Sequence, residues 1–378
     1  MSHPFFRTYL ISWIFIVTFS FPFLNDRLEF LKDSENLENR KLAVKPAFNI
    51  KSLDAFPPAF EKYYNDTFTV RARIMTGFNI YNCVFLLKSP IPEQIIAGKH
   101  GWLYLGKNDM DCYLGKNGLS ETELASFKNE LEKREKYLAS KKCKFYVMIT
   151  PAKANIYPEH LPDNLYKQNQ AWGEQVLAYM RANSNVRMID LYGVFRSLKP
   201  QGLLYYMLEN HWNHLGAFHA ANTAINVMSA DFPDLKKLDL SDYKITVSPR
   251  DIGNMKQMLG NLDLYMDVDY QVLPTNGFKA TVAASRRYPV PAGCPYSWEY
   301  EHENEIRDSG APKLLIFSDS FGGHIFPYLS EHFSRSVKIF DGWDYLLNKD
   351  IVEKEKPDIV LLMVQEPIIR EIFKPGKN

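Results

Sequence analysis

Leu314-Leu315-Ile316-Phe317-Ser318-Asp319-Ser320-Phe321-Gly322-Gly323 is the stretch that decides the fold. Four apolar residues run into three small polar ones, and then into an aromatic and a glycine pair. An apolar run this short, bounded by turn residues, predicts a strand buried on both faces, and residues 321–333 continue with helical spacing. The same unit recurs outward from it. VKIF (337–340) is followed by a helix over 344–353 and then by DIVLLMV (358–364). Upstream, CKFYVMIT (143–150) and VRMIDL (186–191) are short apolar strands separated by a helix over 169–183. A helix over 120–141 opens at Ser120 and Glu121, as a capped helix does, and another occupies 215–230. Near-continuous apolar strands that alternate with helices require a parallel sheet covered on both faces, so the predicted class is α/β. Residues 235–300 break the alternation with short β-like pieces, Gly253, Gly260 and the run of Pro289, Pro291 and Pro295. They predict a β-rich insertion.

The chain has 378 residues, enough for two or three domains at ~150 residues each. With 46% hydrophobic and 24% charged residues it can bury a large core, which excludes wholesale disorder. Its net charge of +1 lacks the basic excess of a nucleic-acid binder, so no nucleic-acid partner is expected. The aromatic share of 14% either packs the core or lines a carbohydrate groove. Cys83, Cys112, Cys143 and Cys294 have no metal-site spacing and are too few for a disulfide scaffold. In an exported chain one bridge, Cys83 to Cys112, is the expected pairing.

The N-terminus bears on the compartment. Residues 8–24, TYLISWIFIVTFSFPFL, are 17 residues without a charge, at the short end of a bilayer span. Arg7 precedes them, and Asn25, Asp26 and Arg27 follow, which weakly places the N-terminus in the cytoplasm and the bulk of the chain outside. Bulky residues stand where a cleavage site needs small ones, which favours an uncleaved signal anchor over a cleaved signal peptide or a buried helix. The expected organisation is a cytoplasmic stub over 1–7, a signal anchor over 8–24, a stalk and lead-in helices over 25–95, and an α/β body over 96–378. GKHGWLYLG (98–106) reads as a turn followed by a strand.

Parallel sheets present functional groups at the carboxyl ends of their strands. Ser320, at a strand-to-helix turn, is placed as a nucleophile, with helix N–H groups nearby for an oxyanion. Alternatively, Ser or Asp in this turn simply caps the helix. Glu209-x-His211 sets a carboxylate two residues from an imidazole, and in an extended segment the two side chains point the same way. A carboxylate there fixes the tautomer of a histidine that serves a nucleophilic serine. The competing readings are a metal site of His211, His214 and His219, or plain surface and helix-face histidines. Lys153 and Tyr157 follow the 143–149 strand; Lys153 either contacts an anionic sugar or acyl group or is a solvated loop charge. His324, one helical turn beyond Ser320, either approaches the site or is a helix-face residue, the reading preferred here.

An ordered set of short motifs runs from about residue 36 to the C-terminus. It comprises Glu38-Asn39-Arg40, Phe-Glu-x-Tyr-x-x-Asp at 60–66, Gly101-Trp102-Leu103-Tyr104, and Pro151-Ala152-Lys153 with Ile156-Tyr157-Pro158. His211-Trp212-Asn213 with Gly216-Ala217, Asp319-Ser320-Phe321 and Pro327-Tyr328-Leu329 complete it. The set resembles the SGNH-hydrolase-like AlgX/AlgJ family of polysaccharide O-acetylation proteins, with an N-terminus of the AlgJ type. The resemblance implies a flavodoxin-like sheet and a Ser-His-Asp triad whose acid lies two residues before the histidine, in Asp-x-His-Trp. Ser320, His211 and Glu209 occupy those positions, with Glu in place of Asp and Ser318 where the hydrolases often have Gly. Lys153, Tyr157, Trp212 and Tyr328 are then expected substrate contacts, and the amides of Ser320 and Gly322 the oxyanion donors. No metal or cofactor is implied. The acetyl donor would come from a membrane-bound O-acyltransferase partner, the acceptor would be an exported polysaccharide, and the anchored body would lie on the periplasmic side. A carbohydrate acetyl esterase with the same triad, or a non-catalytic glycan-binding scaffold, are the alternative functions.

Overall fold

In the computed structural model, residues 4–374 are described apart from 29, 32–41, 49, 69–70, 87, 261–264, 284–286 and 343. Glu38-Asn39-Arg40 and residues 1–3 of the expected cytoplasmic stub lie outside the described residues. In chain order the elements are α1 (Pro4–Leu28), α2 (Phe56–Thr67), α3 (Arg71–Ile80), β1 (Ile95–Ala97), β2 (Leu103–Leu105), α4 (Lys107–Leu114), α5 (Glu121–Ser140) and β3 (Lys144–Thr150). Next come α6 (Lys153–Ile156), α7 (Trp172–Asn183), β4 (Arg187–Asp190), α8 (Tyr192–Leu198), α9 (His214–Met228), β5 (Tyr243–Arg250), α10 (Asn254–Met258), β6 (Asp267–Pro274) and β7 (Thr281–Val282). Last are β8 (Glu301–Glu305), β9 (Lys313–Ser318), α11 (Gly322–Ser330), β10 (Arg335–Phe340), α12 (Lys349–Glu355) and β11 (Ile359–Gln365).

Two compact units result. The first joins residues 1–90 to 254–265, and the second holds 91–253 and 266–378. In the first unit, Thr76 Oγ1 donates to Gly260 O at 2.9 Å and Asn79 Nδ2 donates to Leu259 O at 2.8 Å. The tip of the expected insertion therefore belongs with the N-terminal helices, where the sequence reading put all of 235–300 in the α/β body. Helix α1 carries exposed apolar side chains, Ile11, Phe15 and Phe19 among them. Among the described residues no helix is long and apolar enough to cross a membrane.

The second unit is built on a seven-stranded sheet in the order β4-β3-β11-β9-β10-β8-β7. Strands β4, β3, β11, β9 and β10 pair in parallel, with Leu361 opposite both Tyr146 and Ile316, and Ile316 opposite Lys338. Strands β8 and β7 extend this sheet antiparallel, so the purely parallel sheet expected from the sequence is a mixed one. The physical reason is composition: β8 is EHENE, polar at every position, unlike the apolar strands of a parallel core covered on both faces. The central strands alternate residues between two cores. Leu314 and Ile316 join Tyr146, Met148, Leu361 and Met363 on one face; Leu315 and Phe317 join Val147, Ile149, Leu362 and Val364 on the other. The first face is covered by α9 and α11. Ala217, Ala220, Ala221 and Ala224 of α9 are all buried there, and their small side chains let the helix lie close. On the second face α5 packs Leu124, Phe127, Leu131 and Leu138 at helical spacing. Its start is fixed by a reciprocal cap: Glu123 N donates to Ser120 Oγ at 3.2 Å and Ser120 N to Glu123 Oε2 at 2.9 Å.

The GKHGWLYLG segment forms the expected turn and then strand β2, which pairs antiparallel with β1 just before it. All four cysteines are free thiols, so the expected Cys83–Cys112 bridge is absent. Cys112 is buried in the core on the second face of the sheet, which also holds Leu119, Phe127 and Trp172. The aromatic surplus goes mainly to the interior: Tyr104, Tyr146, Tyr205, Trp212 and Phe317 are all buried.

Candidate active site

The end of β9 and the start of α11 form a turn whose shape is set by one side chain. Asp319 is buried, and its carboxylate accepts from Phe321 N at 3.0 Å, Gln365 N at 2.9 Å and Tyr345 Oη at 2.9 Å. Burial pushes this carboxyl up, while those three donors pull it back toward the ionised form. Gly322 is required here because a Cβ would overlap Ser318 Oγ. Asp341 N donates to Ser318 O at 2.8 Å and closes the turn from the β10 side. With the backbone held this way, Ser320 stands partly exposed at the carboxyl edge of the sheet.

His211 comes from the other side. Residues 205–212 form a tight loop before α9, closed by a bridge between Tyr205 and Trp212 and by Tyr206 N donating to His211 O at 3.1 Å. The segment between is bent, so the extended geometry expected for Glu209-x-His211 is replaced by a bend that still brings the two side chains together. Asn213 caps α9, accepting from Gly216 N at 3.0 Å. The loop is gripped by residues far away in sequence. Lys153 Nζ donates to the carbonyls of Tyr206, Met207 and Glu209 at 3.0, 2.9 and 2.9 Å. Asp267 accepts from Met207 N at 2.9 Å and Leu208 N at 2.7 Å. Tyr206 Oη donates to Asp269 at 2.8 Å. Phe321 then packs the loop onto the serine turn, with ring centroids 4.8 Å from His211 and 5.1 Å from Trp212.

The three polar groups form a relay. Glu209 Oε1 lies 2.8 Å from His211 Nδ1, and His211 Nε2 lies 2.7 Å from Ser320 Oγ. The carboxylate fixes the tautomer: Nδ1–H donates to Glu209, which leaves the Nε2 lone pair for the serine proton. Burial works to raise the Glu209 carboxyl, but the bond from His211 and the charges of His211 and Arg250 outweigh it and hold it below the ordinary carboxylate range. Gln365, the last residue of β11, places Nε2 3.4 Å from Ser320 Oγ. Such a constellation deprotonates a serine hydroxyl for attack on an acyl carbon.

Several expected residues lie elsewhere. Lys153, Tyr157, Trp212 and Tyr328 are 4, 3, 0 and 1% exposed, so none offers a surface to a sugar, against the expectation of substrate contacts. Lys153 is occupied by the three loop carbonyls, and burial brings its pKa down to about 7. Tyr157 Oη accepts from Leu204 N at 2.9 Å, Tyr328 Oη donates to Val272 O at 2.9 Å, and Trp212 is enclosed in the core. The Gly322 amide donates to Asp319 O at 3.0 Å, which takes it out of the expected oxyanion pair. His324 packs 4.8 Å from the His214 ring, and burial, with both histidine neighbours, pushes its pKa down to about 3, so it stays neutral. Gln365, Asp267 and Asp269 were not singled out from the sequence. A polar residue ending an apolar strand was the available signal for Gln365; nothing local marks the two aspartates.

Residues 95–286, just over half of the chain, match the family model described as "SGNH hydrolase-like domain, acetyltransferase AlgX". The match includes Glu209 and His211 and ends before Ser320. The "Probable alginate O-acetylase AlgJ" of Pseudomonas aeruginosa is 24% identical over 221 residues, 56% of this chain and 50% of that protein. The protein of the same name from Pseudomonas syringae pv. tomato is 27% identical over 164 residues, 43% of this chain and 40% of that protein. The chain thus spans about half the length of the curated relatives it matches. Among solved structures, Bacillus cereus PatB1 superposes with a TM-score of 0.54 at 18% identity, covering 74% of this chain and 99% of that one, a likeness of fold.

Proposed function

Because this chain belongs to the SGNH hydrolase-like acetyltransferase family typified by AlgX, we propose that it is an O-acetyltransferase working through a Ser320 acyl-enzyme. The single observation that carries the reading is the relay of 2.8 Å and 2.7 Å from Glu209 through His211 to Ser320. His211 Nε2 takes the proton of Ser320 as Oγ attacks the acetyl carbonyl, and returns it to the donor's leaving oxygen as the tetrahedral intermediate collapses. A sugar hydroxyl then loses its proton to the same nitrogen and attacks the acyl-enzyme, which regenerates Ser320. Glu209 holds the imidazole and balances its charge. The Ser320 amide and the Gln365 side-chain amide are the oxyanion donors in this scheme.

The acceptor is a hydroxyl of an exported polysaccharide, in keeping with the alginate O-acetylases that the chain resembles. No cofactor enters; a membrane-bound O-acyltransferase partner supplies the acetyl group. Residues 8–24 anchor the chain beside that partner, with the α/β body on the periplasmic side. The uncharged run and its exposed Ile11, Phe15 and Phe19 support the anchor. The test is intact-mass spectrometry of the full chain incubated with p-nitrophenyl acetate. Wild type is expected to gain the mass of one acetyl group and Ser320→Ala to gain none. Added glycan oligomers should then carry the acetyl away. Acetate released at the same rate without glycan would mean an esterase, and a wild type that never acquires an acetyl group would point to a scaffold.

A further inference from the structure

We propose that Arg250, delivered by the insertion hairpin, is a positioning residue that holds Glu209 against His211; this rests on the reading of Glu209, His211 and Ser320 as the working relay. Arg250 closes β5, which pairs antiparallel with β6. Its Nη2 lies 2.9 Å from Glu209 Oε2, while Oε1 of the same carboxylate faces His211 at 2.8 Å. Each carboxylate oxygen therefore has its own partner. The guanidinium stacks 4.0 Å from the ring centre of Tyr206, on the loop that carries Glu209. Tyr206 is in turn tied to Asp269, and the adjoining Met207 and Leu208 amides to Asp267, both on β6. The hairpin thus grips the loop through its backbone and also reaches the acid itself.

The need for a second anchor follows from the residue type. Glutamate has one more rotatable bond than aspartate, so its carboxylate has more ways to swing off the imidazole. A planar guanidinium, pre-organised and stacked on an aromatic face, removes that freedom more completely than a lysine could. Charge balance argues that the gain is one of orientation. A cation beside Glu209 weakens the pull of the carboxylate on an imidazolium, so this arginine does not serve by adding charge stabilisation. One further sign is that Arg250 Nη1 is buried and has no hydrogen-bond partner in the described structure. A buried donor left unpaired is costly, so the stability of this side chain alone does not account for its placement.

The experiment measures Ser320 acylation by p-nitrophenyl acetate in the full chain for Arg250→Ala and Arg250→Lys, each also in a Glu209→Asp background. Arg250→Ala should acylate about 10- to 100-fold more slowly, as misplacement of a catalytic group does, with Arg250→Lys recovering part of the loss. In the Glu209→Asp background the shorter acid no longer reaches Arg250, so Arg250→Ala should change the rate less than about threefold. An unchanged rate in Arg250→Ala overturns the proposal, and so does an equal loss in both backgrounds, which marks general damage to the hairpin. A second readout does not depend on activity. In chain labelled with 15N-histidine, the downfield Nδ1 proton of His211 should be present in wild type, absent in Arg250→Ala and restored in Arg250→Lys. If wild type takes up no acetyl group, the functional reading fails and this resonance alone decides the positioning role; its persistence in Arg250→Ala overturns it.

Discussion

The serine turn and the loop that carries Glu209 and His211 meet through the His211–Ser320 hydrogen bond and the ring of Phe321, yet they are held by different means. The turn is organised around one of its own side chains: Asp319, next to the serine, accepts the Phe321 amide of the turn, the Gln365 amide of β11 and the Tyr345 hydroxyl, and the sheet ends directly beneath it. The loop is organised from outside, by Lys153 after β3 and by Asp267, Asp269 and Arg250 on the β5–β6 hairpin. A nucleophile built on a strand end inherits the rigidity of the sheet. An acid and base on a loop inherit only what their neighbours impose, so the precision of the relay depends on the less rigid half.

The sharpest way to break this contrast is Asp319→Ala. It strips the acceptor from three donors at once in a fully buried place, and should cost about 3 kcal/mol of stability and abolish the acetyl adduct on Ser320. Thermal unfolding and intact-mass spectrometry read the two effects. A stable variant that still forms the adduct would mean that the turn is held by its backbone alone. Asp267→Ala should be milder. It frees the Met207 and Leu208 amides but leaves Lys153 on the loop carbonyls, so about 2 kcal/mol and roughly tenfold in acylation rate are expected. A loss equal to that of Asp319→Ala would show that the loop has no redundancy.

The smallest effect concerns pH. His211 and Arg250 hold Glu209 below the ordinary carboxylate range, against the opposing push of burial. A carboxyl depressed in the folded state binds fewer protons there than in the unfolded chain. Its stabilisation is therefore present above the unfolded pKa of ~4.3 and is lost as pH falls through the folded value. Glu209→Gln should cost about 1–2 kcal/mol at neutral pH, with the gap to wild type narrowing below about pH 4. Paired urea titrations at neutral and acid pH test this; a gap that widens on acidification would contradict it.

Much of this molecule is legible along the chain. The apolar strands, the capped start of α5, the strand-turn-helix around Ser320 and the Glu209-x-His211 pair are local patterns, because periodicity and turn chemistry act within a few residues. The sequence by itself determined the α/β class and the family and marked Glu209, His211 and Ser320 as candidates; the tertiary structure brought the three together. Only the tertiary structure decided that β8 and β7 close the sheet antiparallel, that the tip of the insertion joins the N-terminal helices, and that Lys153, Tyr157, Trp212 and Tyr328 are interior residues. It also brought Gln365 to the serine and Arg250 to the acid. The physical reason is separation along the chain: His211 and Ser320 stand 109 positions apart, and the loop is tied to Asp267 across 60. Contacts of that range are chosen by how whole elements pack, which no local pattern encodes.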